Sequence, residues 1–238
     1  VLDSTDSTMA EAARQAESLV VPTWIMARRQ TAARGRRGRP WAMPPGNFAA
    51  SIVLRPTEPP AEVALRSFVA ALALRDAFVA ATDRPRAFAL KWPNDVLLNG
   101  GKVAGILLES LGGRGRVQGL VIGFGVNLAA APGRSDVEPG AVPPVGLAAE
   151  LGVAIAPEAF LDLLAPAYDR RERQFASYGF APIRAAWLES AARLGAVMTA
   201  RTGKAETTGV FRGVDMAGNL ILDTAKGRAA VAAADVFF

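Results

Sequence analysis

Two apolar runs, Val96–Leu98 and Val103–Leu108, flank Asn99-Gly100-Gly101. Asn-Gly tolerates the positive φ angles of a tight turn, so the pattern predicts a hairpin of two paired strands. Before it, periodicity predicts a helix from Asp6 to about Leu19, in which Thr8 and Glu11 have the spacing of a capping box. A short buried strand at Trp24–Ala27, a strand at Ala49–Leu54, a long buried helix at Ala61–Ala81 and a strand at Arg86–Leu90 follow. Beyond the hairpin come a turn at 112–115, a strand at Val117–Phe124, an irregular Pro/Gly/Ala-rich segment 129–146, and helices near 145–152, 157–176 and 182–193. From Gly195 the period shortens to β runs at Val197–Arg201, Thr208–Val214, Asn219–Leu222 and Arg228–Ala233. The expected architecture is α+β: a mixed sheet flanked by helices over residues 1–193, then a small β-barrel over 194–238.

Composition narrows the chemistry. Hydrophobic residues make up 51% of the 238, ample for a packed core. The chain has no cysteine and no histidine, which removes disulfides, thiol nucleophiles, Ser-His-Asp catalysis and His- or Cys-ligated zinc together. What remains is Arg, Lys, carboxylates, hydroxyls, backbone amides and an oxygen-ligated ion such as Mg²⁺. No apolar run approaches membrane-spanning length and no basic leader opens the chain, so a cytoplasmic protein without a membrane partner is expected.

The net charge of +5 is modest, but its placement is not. No acid lies between Glu17 and Glu58, while Arg28, Arg29, Arg34, Arg36, Arg37, Arg39 and Arg55 fall inside that stretch. Such a patch suits phosphates, of a nucleotide or of a nucleic acid. Gln30…Arg34-Gly35-Arg36-Arg37-Gly38-Arg39-Pro40-Trp41 interleaves Gly with Arg and predicts a mobile loop that orders around an anion. By itself that loop fits a nucleic-acid tract slightly better. Only four lysines occur, and two of them, Lys91 and Lys102, bracket the hairpin. A compact ammonium suits approach to a single phosphate or carboxylate oxygen. Gly105 interrupts the second strand, and Gly123-Phe124-Gly125-Val126-Asn127 ends the next; alternate glycines leave one strand face bare for a flat ligand.

Three strings together resemble the biotin–protein ligase family: the Gly/Arg loop with Trp41, Lys91-Trp92-Pro93-Asn94-Asp95 with Lys102-Val103-Ala104-Gly105-Ile106, and Gly123 to Asn127. Their order and spacing match over nearly the whole chain, and the terminal β module is similar to that family's small C-terminal domain. The resemblance implies a catalytic domain of the class II synthetase/biotin ligase type plus an SH3-like barrel. It implies formation of biotinyl-5′-AMP from biotin and MgATP, then transfer of biotin to a lysine of the biotin carboxyl carrier domain of a carboxylase. Under it, Ser7, Thr8, Gln30, Arg34, Gly105, Gly123 and Gly125 hold biotin, while Arg36, Arg37, Arg39, Trp41, Lys102 and Asn127 hold ATP or the adenylate. Lys102, Arg36 and Asp95 are the implied catalytic residues, with Asp95 a candidate for Mg²⁺ or for orienting the acceptor amine. The family commonly has Asn where Met9 stands and Gly where Ala33 stands.

The alternatives are a lipoate–protein ligase-like transferase of the same fold, a nucleic-acid-binding protein, and a ligase that is also a DNA-binding regulator. The first lacks this Arg loop and usually uses His or Cys; the second would need exposed aromatics among its arginines; the third would need a helix–turn–helix domain. A monomer or homodimer without a nucleic-acid partner is therefore expected. Residues 195–238 carry no Gly/Arg phosphate signature and are not expected to be the site of adenylate chemistry, so a bound adenylate should not be enclosed mainly by the small barrel.

Overall fold

The computed structural model describes residues 1–112, 117–133, 140–202, 205–232 and 234–237. The expected turn at 112–115 beyond Gly112, part of segment 129–146 and position 233 lie outside them.

Helix α1 (Thr8–Gln15) is followed by a single 3₁₀ turn, Ala16–Ser18. It is shorter than the predicted helix, and the capping box is not formed. Ser7 is the N-cap, without a side-chain cap bond, and Glu11 turns instead to Arg14 and Gln15. Six strands then build the main sheet: β1 (Thr23–Met26), β2 (Phe48–Leu54), β3 (Phe88–Lys91), β4 (Asp95–Leu98), β5 (Gly101–Leu111) and β6 (Gly119–Val126), in the order β1-β2-β6-β5-β4-β3. All named neighbours are antiparallel, and the parallel bridges Leu2–Ala27 and Thr5–Gln30 make the sheet mixed. The hairpin between β4 and β5 turns at Asn99 (φ 49°) and Gly100 (φ 86°), the left-handed pair that Asn-Gly allows.

Period-two alternation divides the sheet into two working faces. Ala50, Ile52, Leu54, Ala104, Ile106, Leu120, Ile122, Phe124 and Val126 point into the main core. That core is closed by α2 (Pro60–Val63), α3 (Arg66–Thr82), α4 (Leu147–Leu151), α5 (Pro157–Tyr178) and α6 (Phe180–Glu189). The predicted single helix at 61–81 is interrupted at Ala64 and Leu65, where i→i+3 bonds replace α-helical ones. Directly after the break, buried Arg66 pairs with Glu58 and Glu172, and Tyr168 hydrogen-bonds Glu172. On the opposite face Val53 and Val121 pack against Met9 and Ala12 of α1 and Ala16 of the 3₁₀ turn. The glycines of β5 and β6 share this second face, so it is left thin beside α1.

The C-terminal sheet has five antiparallel strands, β7 (Val197–Arg201), β8 (Glu206–Val214), β9 (Leu220–Thr224), β10 (Gly227–Val231) and β11 (Asp235–Phe237), ordered β10-β9-β8-β7-β11. A meander whose last strand returns beside its first is the SH3-like order. β11 was not foreseen, because three residues after an Ala run carry no readable period. Met198, Phe211, Leu220, Leu222 and Val236 continue the main core, and Trp92 Nε1 donates to Gly218 O at 3.0 Å. The small sheet is thereby seated against α3, α6 and the β3–β4 turn.

Candidate active site

The β3-β4-β5 register sets the floor. Lys91 is opposite Asp95, and Asp95 is opposite Gly105. Lys102 Nζ approaches Asp95 Oδ1 at 2.8 Å and Lys91 Nζ lies 3.8 Å from Oδ2, so two ammonium groups straddle one carboxylate. The Lys102 contact is electrostatic, since no aligned hydrogen bond reaches Oδ1. Burial pushes the Lys91 pKa down, and the Asp95 charge opposes that shift. Asn94 locks the turn to β5: Ile106 N–H donates to its carbonyl, and its Nδ2 donates to Ile106 O at 2.6 Å.

Gly105 and Gly125 face each other across β5 and β6. The space left by their missing side chains is filled by Trp41. A Cβ on Gly125 would lie 2.7 Å from Trp41 Cε2, and one on Gly105 3.2 Å from Trp41 Cζ3. Lys102 Nζ sits 5.5 Å from the Trp41 ring centroid, a cation–π contact. Met9 does the same at Gly123, where a Cβ would meet its Sδ at 2.5 Å. The bare strand face expected from alternate glycines thus exists, and two side chains of this chain lie against it.

At the α1 end, Ser7 and Thr8 are buried. Thr8 N–H donates to Gln30 Oε1 at 2.7 Å, and Ser51 Oγ donates to Thr8 Oγ1 at 2.9 Å. A hydroxyl facing the cavity under a helix start explains these residues better than the capping box does. At the other end, Asn127 is buried; its Nδ2 donates to Val145 O and its neighbour Asn47 accepts from Ala129 and Ala130 N–H. Lys102 N–H donates to Pro143 O, and Val145 N–H to Lys102 O, so the described part of segment 129–146 is tied to the hairpin.

The Arg loop forms the roof. It makes a 3₁₀ turn at Arg36–Gly38, with Arg37 at φ 57°. Each loop cation meets an anion or carbonyl of the protein. Arg34 pairs with Glu109 at 3.0 Å, while Arg36 Nη1 reaches Asn94 Oδ1 and Ala234 O, both at 3.4 Å. Arg37 and Arg39 converge on Asp235 Oδ2 at 2.6 and 2.7 Å. Partial burial alone would raise the Asp235 pKa, but the Arg39 hydrogen bond and the charges of Arg39, Arg37 and Arg36 outweigh it, holding the carboxyl below its usual range. Burial pushes the Arg36 pKa down.

One cavity of about 460 Å³ gathers these parts. Ser7, Thr8, Gln30, Arg34, Arg36, Arg39, Trp41, Asp95, Lys102, Gly105, Gly123, Gly125 and Asn127 all line it. Arg37 does not; it reaches Asp235 from outside the wall. Sequence reasoning missed Lys91 as a lining residue, Asn94, and Asp235, Val236 and Phe237 of β11. The last three bring the end of the C-terminal sheet to the edge of a cavity otherwise lined by residues 7–144. Asp95 suits a metal poorly: two lysines already balance it, and among the described residues no group of three or more metal-ligating carboxylates forms.

Residues 1–127 match the model of the biotin/lipoate A/B protein ligase family, and 198–238 that of the biotin protein ligase C-terminal domain. The chain belongs to the biotin/lipoate protein ligase family. It is 57% identical, over 100% of its length and 99% of the relative's, to a biotin–[acetyl-CoA-carboxylase] ligase of Paracoccus denitrificans. It is 32% identical to the bifunctional ligase/repressor BirA of Bacillus subtilis, over 99% of this chain and 71% of that one. Among solved structures it superposes on the biotin protein ligase of Aquifex aeolicus in complex with biotin and ATP, with a TM-score of 0.81, 25% identity, and coverage of 99% and 95%. The C-terminal match is to a domain described for biotin protein ligases, the same branch whose Gly/Arg loop this chain's loop resembles. As a biotin/lipoate-type ligase with the biotin ligase C-terminal module, the chain keeps its three motifs around a single cavity.

Proposed function

We propose that this chain is a biotin–protein ligase that makes biotinyl-5′-AMP from biotin and ATP and passes biotin to a lysine of a carboxylase carrier domain. The observation that carries this reading is the convergence of Lys102, Arg36, Arg39 and the glycine shelf on one cavity, of a size that suits a cofactor-sized ligand. Ser7, Thr8, Gln30 and Arg34 would hold biotin at the α1 end, where the Ser7 and Thr8 hydroxyls are buried. Gly105, Gly123 and Gly125 let it lie close to the backbone. Arg36, Arg39, Trp41, Lys102 and Asn127 would hold the adenylate, with Arg37 supporting the roof through Asp235. Mg²⁺ would enter on the nucleotide phosphates and shield their charge.

In the first half-reaction two anions, the biotin carboxylate and the ATP α-phosphate, must meet. Lys102 neutralises them and fixes their approach, which is the main catalytic contribution available without His or Cys, while Arg36 grips the adenylate once it has formed. The roof then keeps water from the mixed anhydride. In the second, the acceptor amine displaces AMP, with Asp95 placing the amine. We assign residues 1–193 to the catalytic unit and 194–238 to a closing module that contributes β11 to the wall. Among the described residues no helix is long and apolar enough to cross a membrane, which suits a cytoplasmic enzyme.

Intact-mass analysis of a carrier domain after incubation with biotin and MgATP tests this. One biotinyl adduct on the carrier is expected. A carrier of unchanged mass in a reaction with folded enzyme overturns the reading. A lipoyl adduct in the matched lipoate reaction, with no biotinyl adduct, would move the assignment to the other branch.

A further inference from the structure

Lys91 has no place in the chemistry described so far, yet it lines the cavity and is nearly inaccessible, with a side chain 10% exposed against 29% for Lys102. The two lysines hold opposite oxygens of Asp95 under different constraints. Lys102 lies in the open part of the cavity beside Gly105 and Trp41, where a ligand anion can draw it away from Asp95. Lys91 is held by the β3–β4 register next to Asp95. When Lys102 and Arg36 turn to the adenylate phosphate, Lys91 is the cation left on Asp95.

That arrangement has a consequence for the acceptor. The carrier lysine arrives as an ammonium and must lose its proton before it can attack. An unpaired Asp95 would grip the ammonium and make that loss harder; a neutralised Asp95 can accept a hydrogen bond from the amine without favouring its charged form. A fixed cation close by lowers an incoming amine's proton affinity. We propose that Lys91, acting through Asp95 as a positioning residue, lowers the proton affinity of the carrier's acceptor lysine so that it reaches the adenylate as a neutral amine. This role rests on the ligase reading and refines it. The ammonium loses one proton to solvent. Its nitrogen lone pair then forms the bond to the acyl carbon, and the bond from that carbon to the phosphate oxygen breaks, its electron pair leaving on AMP. The second nitrogen proton follows to solvent, so an ammonium and the singly charged adenylate give amide, doubly charged AMP and two protons.

The charged groups facing this point are Lys91 from β3, Lys102 from β5 and Arg36 from the loop; Asp235 of β11 is more distant and is engaged by Arg37 and Arg39. Burial of Lys91 and the Asp95 charge act in opposite directions on its proton, so the effect is read at pH values where Lys91 is still charged.

The experiment is the pH dependence of a single turnover, from enzyme-bound biotinyl-5′-AMP to carrier. In the wild type the rising limb should fall at least about one unit below the ordinary lysine value of ~10.4. In Lys91→Met, which keeps length and apolar packing, the limb should move up by about one unit, a tenfold loss at neutral pH, with the adenylation pH profile unchanged in shape. A limb at the same pH in both enzymes, or equal losses in both half-reactions with no pH shift, overturns the proposal. Should Lys91→Met not fold, the wild-type limb is compared with the acceptor pKa in the free carrier by NMR; coincidence of the two overturns it. A wild-type enzyme that gives no biotinyl adduct refutes the ligase reading itself, and with it this role.

Discussion

The floor and the roof of the cavity are built by different means. Lys91, Asp95, Lys102, Gly105 and Gly125 stand on strands whose backbone hydrogen bonds fix their spacing. The roof is a loop held by ion pairs among partly exposed groups, chiefly Arg34 to Glu109 and Arg37 and Arg39 to Asp235. Pairs of that kind typically contribute about 0–1 kcal/mol each and weaken with salt. The floor is therefore preorganised, whereas the roof can exchange one anion for another. A rigid floor suits the chemical step; an exchangeable roof suits capture and containment of the adenylate.

The largest expected effect is on the floor. Lys102→Ala should reduce adenylate formation by roughly a hundredfold, about 3 kcal/mol, while circular dichroism and Tm stay near wild type. Pyrophosphate release at the wild-type rate would remove Lys102 from the chemistry. Lys102→Arg should also be poor, because the planar head must enter the space between Gly105 and Trp41.

A smaller effect, of another kind, is expected at Arg36. It contributes charge-assisted hydrogen bonds that are worth roughly 1.5–3 kcal/mol. Arg36→Gly should still make adenylate but lose it about tenfold or more faster, so that an unrelated lysine-rich protein in the mixture becomes biotinylated. Asp235→Asn should act more weakly still, raising adenylate escape by a few-fold at most, since it loosens Arg37 and Arg39 without removing them. Measured escape rates for the two variants should keep that order.

The smallest effect is on pH. Asp235 has a depressed pKa in the folded protein, so its latch is fully present above the ordinary carboxylate value of ~3.9 and is lost as pH falls through the lower folded value. Adenylate retention should therefore be flat through neutral pH and fall only below about pH 4. A fall near pH 6 would assign the latch to a different group.

The difference between floor and roof also explains what was legible in the sequence. The hairpin was readable because Asn99 and Gly100 specify their own turn, and alternation then settles which residues share a face. Gly105, Gly123 and Gly125 follow from that local logic; Lys102, three residues from Gly105, reaches the same side only through the β-bulge at Val96/Leu97, which alternation does not show. Asp235 does not: a lone Asp in an Ala-rich tail carries no pattern, and its role arises only when β11 returns beside β7 and meets a loop 196 and 198 residues away in sequence. Lys91 was visible as a motif residue, but its burial between Asp95 and the turn is a tertiary fact. Thr8 and Glu11 misled because their spacing fits a capping box; Gln30 and Ser51 take Thr8 instead. The interruption at Ala64 and Leu65 is equally non-local, placing Arg66 between Glu58 and Glu172.

The division of labour between floor and roof is tested most directly by following two quantities in Lys102→Ala and Arg36→Gly side by side: pyrophosphate released with biotin and MgATP, and the fraction of biotinyl-5′-AMP that passes a filter retaining the protein. The account predicts that Lys102→Ala loses pyrophosphate release, whereas Arg36→Gly keeps most of it and sends its adenylate into the filtrate. Proportional loss of synthesis in both variants, with no adenylate in the Arg36→Gly filtrate, would contradict it.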